Sequence, residues 1–479
     1  MNQLVTFVLD GKKVDLDFSL SHEITPTTTV LNYLRALPNH RGVKEGCAEG
    51  DCGACTVVIG ELIGDRKIIY RAIDSCLMFL PMLHGKLLVT VENLKSPTGD
   101  LHPVQRAMVE SHGSQCGFCT PGIVMSLFAL RQISDQTIPE QTKVAIAGNL
   151  CRCTGYRSII DAAVDAKARN GEKDEGIDES TAIKLLKSIS HKGISLASGK
   201  QKYDQPLTLK ECLGFVRRSP DAVIINGATD VALRVTKKFE SISHIIDLSR
   251  IRELTKVSKT RNKLTIGAGI RVNDLMNLVR QDFPALHEML EVFGADQIRN
   301  VATLGGNLGT ASPIGDILPV LIAYGARIVL AGPKGRRIID SDKFVTGYRK
   351  TERRKDEIIF AVELPVPDKS LRIRSYKVSR RRDLDISTVS GGFRLNLDSR
   401  GIVKDICLTY GGMAERTKRA ESTEKFCKGR PWIRNTIVQA QLFIDKDFHP
   451  ISDVRGSAEV RRIVAKNLLM KFWSETKIN

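Results

Sequence analysis

The sequence predicts an α+β multidomain chain, and three observations carry that prediction. At 479 residues it is too long for one hydrophobic core, so three or four domains are expected. Residues 3 to 18 alternate apolar and polar as paired strands do, whereas Ile123 to Leu130 place apolar residues at helical spacing. From Arg372 onward, strand-like stretches followed by helix-like ones make a closing α+β domain.

In chain order, Val5, Phe7 and Leu9 alternate up to an Asp10-Gly11 turn, and Val14, Leu16 and Phe18 alternate after it, which is the pattern of a β-hairpin. Thr29 to Leu37 reads as a short helix. Glu45-Gly46-Cys47-Ala48-Glu49-Gly50-Asp51-Cys52-Gly53-Ala54-Cys55 follows, three cysteines spaced C-x4-C-x2-C, with a fourth at Cys76. That is the plant-type ferredoxin spacing for a 2Fe-2S cluster. Four thiolates must converge on two irons while the backbone turns tightly between them, and Gly46, Gly50 and Gly53 permit the turns. A buried cysteine cluster or a disulfide pair is the plainer alternative, and the match of spacing favours the cluster. With a strand from Thr56 to Ile59, residues 1–86 are expected to form a small mixed sheet with one helix, a β-grasp ferredoxin-like 2Fe-2S domain.

Residues 87–168 change pattern. Gln115-Cys116-Gly117-Phe118-Cys119-Thr120-Pro121-Gly122 leads into the helical run Ile123 to Arg131. A second helix, Gln141 to Gly148, leads into Asn149-Leu150-Cys151-Arg152-Cys153-Thr154-Gly155-Tyr156-Arg157. A C-x2-C plus C-x-C set suits tetrahedral zinc as well as iron. Beside a ferredoxin motif iron-sulfur is favoured, because a second cluster extends an electron path that zinc would interrupt. Ala168 to Ser180 is rich in Lys, Asp, Glu and Gly, and residues 169–190 are expected to be a linker.

Beyond it, Asp221 to Val235 reads as a strand, the turn Asn226-Gly227-Ala228-Thr229-Asp230, then an apolar stretch; such a turn offers N–H groups to a pyrophosphate, although ordinary turns look alike. Phe293 to Leu321 concentrates small and hydrogen-bonding residues without a regular period, as expected of loop backbone pressed against a large polar ligand. Strands Glu357 to Leu364, Gly391 to Leu397 and Ile402 to Tyr410 precede helices Ile433 to Phe443 and Ser457 to Trp473.

Eight of the eleven cysteines lie in the two sets of four; Cys212, Cys407 and Cys427 are scattered and read as small buried hydrophobes. No run of 18 apolar residues and no basic-then-apolar leader is present, which sets the expectation of a cytoplasmic protein without a membrane span. The net charge of +18 raises nucleic acid as a partner, but aromatic residues make up only 5% and no stacking motif interleaves with the basic clusters. A solvated face, or steering of an anionic ligand, is the favoured reading, with a cluster-bearing nucleic-acid sensor as the rival class.

Taken together, the two cysteine motifs, Leu304-Gly305-Gly306-Asn307, Ala311-Ser312-Pro313, Gly347-Tyr348-Arg349-Lys350-Thr351 and Ser379 to Asp385 make the chain resemble the xanthine dehydrogenase family of molybdenum hydroxylases over essentially its whole length. The resemblance is to the small iron-sulfur and FAD subunit of the two-chain bacterial type. It implies a four-helix 2Fe-2S domain at 87–168, a vanillyl-alcohol-oxidase-type FAD-binding domain at 191–368 and a C-terminal α+β flavoprotein domain at 369–479. It implies that Cys47, Cys52, Cys55 and Cys76 hold the cluster nearer the flavin, and that Cys116, Cys119, Cys151 and Cys153 hold the one nearer a molybdopterin cofactor in a large partner subunit, faced by Gln115 and Cys153.

For FAD the resemblance implies Ile225, Asn226, Gly227, Ala228, Thr229 and Asp230 around the pyrophosphate, Phe293 near the isoalloxazine ring, and Thr303, Asn307, Thr310, Asp316, Ile359 and Lys377 as further contacts. Asp316 would accept from a ribose hydroxyl and Lys377 would be a mobile cation. Tyr348 and Arg380 to Asp385 resemble the edge where NAD+ docks. The implied activity is electron transfer from a molybdenum centre through two clusters and FAD to NAD+ during hypoxanthine and xanthine oxidation, in a heterotetramer of two small and two large chains. The alternative is the equivalent subunit of a hydroxylase acting on an aldehyde, nicotinate or aromatic substrate with another acceptor. No acid-base triad is evident in the chain, and none is required for a relay.

Overall fold

The computed structural model describes residues 3–20, 23–64, 66–96, 98–133, 138–168 and 177–477, the last of the 138–168 stretch by its backbone alone. The chain divides into two compact units, Met1–Arg250 with Ala295–Ala302, and Ile251–Gly294 with Thr303–Asn479. The division falls inside the expected 191–368 domain, and one short segment of that stretch belongs with the cysteine-bearing unit.

The first unit begins with a five-stranded mixed sheet in the order Lys12–Asp17, Leu4–Leu9, Leu87–Val89, Thr56–Ile63, Lys67–Asp74. Asp10 and Gly11 both take positive φ (52° and 67°), which matches the twist of a two-residue hairpin turn. Leu4–Leu9 pairs in parallel with Leu87–Val89, and the other neighbours are antiparallel. Helix Val30–Ala36, capped by the Thr29 hydroxyl on Asn32 N, buries Val30, Leu31, Tyr33 and Leu34. This is the expected β-grasp arrangement.

Four helices follow: Pro103–Glu110, Thr120–Ile133, Pro139–Ala145 and Arg157–Ala168. Ile123, Leu127, Phe128, Ile159 and Ala162 join Val8, Val58, Tyr70 and Val89 of the sheet in one apolar core. The third helix starts earlier and ends earlier than the sequence pattern implied, because Pro139 is suited to the first helical position. The expected linker also needs correction. Its residues 169–176 lie outside the described residues, but Glu179–Ser188 is a helix capped by Asp178, and Ala182 and Leu186 enter the same core. Four-residue spacing of two apolar side chains within a charge-rich stretch outweighed the polar composition.

The unit closes with a four-stranded sheet ordered Ile194–Ser198, Gln201–Gln205, His244–Asp247, Val223–Ile225, its last three strands parallel. The carboxyl end of Val223–Ile225 runs directly into the Asn226–Asp230 turn.

In the second unit an antiparallel sheet has the order Val257–Lys259, Lys263–Gly267, Ile358–Pro365, Arg327–Gly332, Gly335–Asp340. Phe293 to Leu321, expected to be irregular, contains Leu304–Thr310 and the start of Ile317–Ala323 in this unit, and Asp296–Arg299 in the other. A second antiparallel sheet runs Arg372–Val378, Val389–Leu397, Val403–Gly411, Lys418–Arg419, packed with Arg434–Asp447 and Ala458–Thr476. Phe393 lies at the centre of that core, with rings of Tyr376, Tyr410 and Phe472 at 5.4, 4.8 and 5.4 Å. Cys212, Cys407 and Cys427 are buried, as read from the sequence. No helix among the described residues is long and apolar enough to cross a membrane.

One buried histidine gives the first unit a pH dependence. His84 accepts from Thr6 N through Nδ1 (3.0 Å) and faces Ser190 O through Nε2 (3.2 Å), so its neutral form suits the site. Burial, reinforced by the charge of Arg250, pushes its pKa down to about 4. The unfolded chain then binds a proton that the fold refuses, so stability is full above about pH 6.5, the ordinary histidine value, and is lost as the pH falls toward 4. Urea unfolding at several pH values should show this loss, and His84→Gln should flatten it; an unchanged slope in the variant would contradict the assignment.

Candidate functional site

The loop between helix Val30–Ala36 and strand Thr56–Ile63 carries Cys47, Cys52 and Cys55, and the turn after Lys67–Asp74 brings in Cys76. Ala48, Gly50 and Gly53 take positive φ (54°, 81° and 64°), which folds the loop back on itself. Cys55 Sγ lies 3.4 Å from Cys76 Sγ, and Cys52 is the neighbour that most lowers the pKa of Cys47. All eleven cysteines are free thiols, and 3.4 Å is far beyond the roughly 2.0 Å of a disulfide. Two thiolates on one tetrahedral metal with bonds of about 2.3 Å stand roughly 3.7 Å apart, close to the observed pair.

Backbone N–H groups of Glu49 and Asp51 point at Cys47 Sγ (3.4 and 3.3 Å). The neighbouring Cys52, helped by these amides, holds the Cys47 thiol at about 5, so this sulfur is prepared as a thiolate. Cys55 is pushed well up by its bond to Cys76 and by burial. Donor chemistry, amide orientation and pairwise spacing all fit a two-metal cluster with two thiolates on each metal. No three metal-ligating side chains gather for a single ion among the described residues.

In the second set, burial and the neighbouring Cys151 and Cys116 push the Cys119 thiol up to about 12, and Cys116 raises Cys153, so each of these sulfurs has another beside it. Cys119 sits at the entrance to helix Thr120–Ile133. The Tyr156 hydroxyl accepts from Cys151 N (2.7 Å) and donates to Asn149 O (3.0 Å), closing the Cys151–Tyr156 turn. Gln115, Cys116 and Cys153 are exposed, beside exposed Phe118 and Leu150. The loops of the two sets meet directly: Leu150 N donates to Cys52 O (2.9 Å), and Asn149 Nδ2 donates to Gly53 O (2.9 Å) and Thr56 Oγ1 (3.1 Å).

The residues expected at FAD fall in both units. In the first, Ile225 to Asp230 form the turn at the carboxyl ends of parallel strands, where ligands bind in open sheets. A Cβ on Gly227 would lie 2.0 Å from Val301 O, so only glycine lets the turn pack there, and Ala228 takes φ 62°.

In the second unit, Thr303 caps Leu304–Thr310 through Gly306 N (3.1 Å), and Ala311 ends the helix in the left-handed region. Asn307 Oδ1 is buried with no hydrogen-bond partner among the described residues, the kind of atom a polar ligand would satisfy. Thr310 Oγ1 is directed to Gly306 O (3.0 Å). Ile359 is buried on Ile358–Pro365, and Phe293 is half-buried.

Asp316 and Lys377 are brought together more tightly than expected. Lys377 Nζ is 2.9 Å from Asp316 Oδ2 and donates to Val292 O (2.8 Å), while Ser387 Oγ donates to Asp316 Oδ1 (2.5 Å). Both charges are nearly buried (5% and 8% exposed), and a charge out of water needs such partners. Lys377 is therefore fixed rather than mobile, and both oxygens of Asp316 are engaged. Tyr348 is exposed, and Arg381 closes the 380–385 loop on Asp385 (3.1 Å) while Arg380 reaches Val454 O (2.5 Å).

Sequence reasoning missed three buried side chains, Ser126, Asn149 and Gln297, that join the loops. Gln297 stood inside the Gly-rich run assigned to a ligand; Asn149 was visible only as a motif neighbour of Cys151. A polar residue at an otherwise apolar helix position was the one available signal for Ser126.

Residues 198–367 match the FAD binding domain in molybdopterin dehydrogenase, residues 374–476 the CO dehydrogenase flavoprotein C-terminal domain, and residues 90–164 a 2Fe-2S binding domain. Xanthine dehydrogenase/oxidase of Gallus gallus is 32% identical over 98% of this chain and 40% of its own length. Xanthine dehydrogenase of Emericella nidulans is 33% identical over 98% of this chain and 38% of its own. A carbon monoxide dehydrogenase chain from Hydrogenophaga pseudoflava superposes with a TM-score of 0.54 at 25% identity, covering 57% of this chain and 96% of that one. The chain thus spans about two fifths of the curated relatives, at 40% and 38% of their length. It is an FAD- and 2Fe-2S-binding protein of the molybdopterin dehydrogenase and xanthine oxidase family, homologous to part of the larger xanthine dehydrogenases.

Proposed function

We propose that the chain is the electron-transfer subunit of an NAD-dependent xanthine dehydrogenase, taking electrons from a molybdopterin-binding large subunit and delivering them to NAD+ during hypoxanthine and xanthine oxidation. The observation that carries this reading is the match to xanthine dehydrogenases over 98% of the chain, cysteine sets and flavin region included. Carbon monoxide dehydrogenase and quinoline 2-oxidoreductase chains correspond to 57% of it, which keeps a related hydroxylase with another substrate and acceptor as the second reading.

Bound 2Fe-2S clusters and FAD would supply one-electron storage and the conversion from single electrons to hydride. What the chain contributes is placement. Cys47 with Cys52 and Cys55 with Cys76 would hold one cluster, and Cys116 with Cys153 and Cys119 with Cys151 the other. The exposure of Gln115, Cys116, Cys153, Phe118 and Leu150 suits docking of the molybdopterin-bearing partner, in the proposed assembly of two small and two large chains. In the second unit Phe293, Thr303, Asn307, Thr310 and Ile359, with the fixed Lys377–Asp316 pair, would contact FAD, and in the first unit Ile225 to Asp230 would contact a pyrophosphate. Tyr348 and Arg380 to Asp385 would meet NAD+.

Co-expression with the large subunit should give a complex that forms NADH from NAD+ and xanthine; a flavin- and iron-loaded complex that forms none would sink the xanthine reading. Cys119→Ser should abolish one of two 2Fe-2S signals in electron paramagnetic resonance and leave FAD in place, and survival of both signals would mean a wrong ligand set. Asn307→Ala should lower FAD occupancy while iron stays near its native content; an unchanged flavin-to-iron ratio would count against the loop.

A further inference from the structure

The stretch Glu45 to Cys55 carries Glu45, Glu49 and Asp51 and no basic residue. Lys44, just before it, turns its Nζ to Arg41 O instead (2.6 Å). A 2Fe-2S cluster on four thiolates is itself an anion, and reduction adds one more negative charge. Counter-charge from the protein therefore has to come from elsewhere in the chain.

Lys237 supplies it from a distant part of the sequence. Its Nζ donates to Cys47 O (3.1 Å) and stands 3.5 Å from Glu49 Oε2. No other hydrogen bond to Cys47 O is present among the described residues. That carbonyl belongs to the peptide entering Ala48, whose φ of 54° lies in the left-handed region, where a residue with a Cβ is held at a cost. The same turn brings Glu49 N and Asp51 N to Cys47 Sγ. One ammonium group thus binds the backbone of a candidate ligand at the turn whose amides face that ligand's sulfur.

Packing brings the lysine there. Helix Ala232–Thr236 starts where the Asn226–Asp230 turn ends, with Ala232 N donating to Ala228 O (2.8 Å), and Lys237 N closes it on Leu233 O (3.0 Å). Ala228 and Ala232 lie in the same apolar core as Cys55, Cys76 and Leu77. Lys238 N returns to Leu233 O (3.2 Å) and Glu240 N to Arg234 O (2.8 Å), which fixes the chain on the far side of Lys237. Arg234 pairs with Glu240 (2.7 Å) and so spends its charge locally, whereas Lys237 spends its own on the cysteine loop.

We propose that Lys237 is an electrostatic and positioning residue for the first cysteine set: its ammonium group, on Cys47 O, raises the reduction potential of the 2Fe-2S cluster held there, and Glu49 opposes it. The inference rests on Cys47, Cys52, Cys55 and Cys76 being the ligands. A positive charge stabilises the more negative, reduced state, because charge and hydrogen bonding around the ligands set such potentials. Lys237 and Glu49 are partly exposed (45% and 40%), so water weakens the effect without removing it.

The test is a redox titration of both 2Fe-2S signals, followed by electron paramagnetic resonance, on the full chain loaded with iron and FAD. Lys237→Met should lower the equilibrium constant for one-electron reduction of the first cluster about threefold to tenfold, or about 28 to 59 mV, while the second cluster moves less than about twofold. Lys237→Arg keeps charge and donor and should restore the native value, and Glu49→Gln should raise it. An unchanged potential in Lys237→Met, a common shift of both clusters, a loss in Lys237→Arg as large as in Lys237→Met, or a Glu49→Gln potential that fails to rise would each overturn the proposal. If Lys237→Met loses iron, Lys237→Gln decides, since its amide can keep a donor near Cys47 O and removes the charge: a lowered first potential supports the proposal, and an unchanged one overturns it. Native protein without two 2Fe-2S signals would instead sink the ligand assignment, and this inference with it.

Discussion

Four hydrogen bonds on one buried amide, that of Asn149, hold the geometry on which the rest of the cysteine-bearing unit depends. Thiols come from four separate stretches of chain, and each stretch would otherwise be free to move on its own. Asn149 binds the Gly53 carbonyl of the first loop while its neighbour Leu150 binds the Cys52 carbonyl. The second set thereby takes its position from the first. Close glycines at 53, 122 and 148 let the backbones approach to a distance that any side chain would prevent.

Placement of buried charge follows another rule in the second unit. Asp316, Lys377 and Ser387 come from a helix entrance, a strand and a loop, and meet out of water. Taking one partner away leaves an uncompensated charge, so the three behave as one group. A dipole held this way does not relax when a neighbouring group changes its charge, a property that suits a site for redox chemistry. Asn307 Oδ1, which has no partner among the described residues, and the small residues of the Leu304–Thr310 helix add a polar face that does not satisfy itself internally.

Much of this could be read without coordinates. The Asp10-Gly11 hairpin, the short helix near Thr29 to Leu37, the eight cysteines in two sets and the closing helices all depend on residues adjacent in sequence, where turn chemistry and periodicity act locally. The Glu179–Ser188 helix escaped because its charged surface dominated composition, while only Ala182 and Leu186 reported burial. The Phe293–Leu321 stretch was read as uniform loop because glycine-rich turns and glycine-rich short helices have the same composition.

The sequence by itself determined that eight cysteines fall in two sets of four and where the tight turns lie, since cysteine spacing and turn residues are local properties of the chain. Tertiary structure alone decided that Cys55 lies against Cys76, that Lys377 is locked to Asp316, and that Gln297 binds Asn149 although it lies four residues after Phe293. Those outcomes depend on contacts between residues 21 apart for Cys55 with Cys76, 61 for Lys377 with Asp316 and 148 for Gln297 with Asn149. No local propensity encodes them, because each arises only when several packed elements leave a buried polar group one available partner.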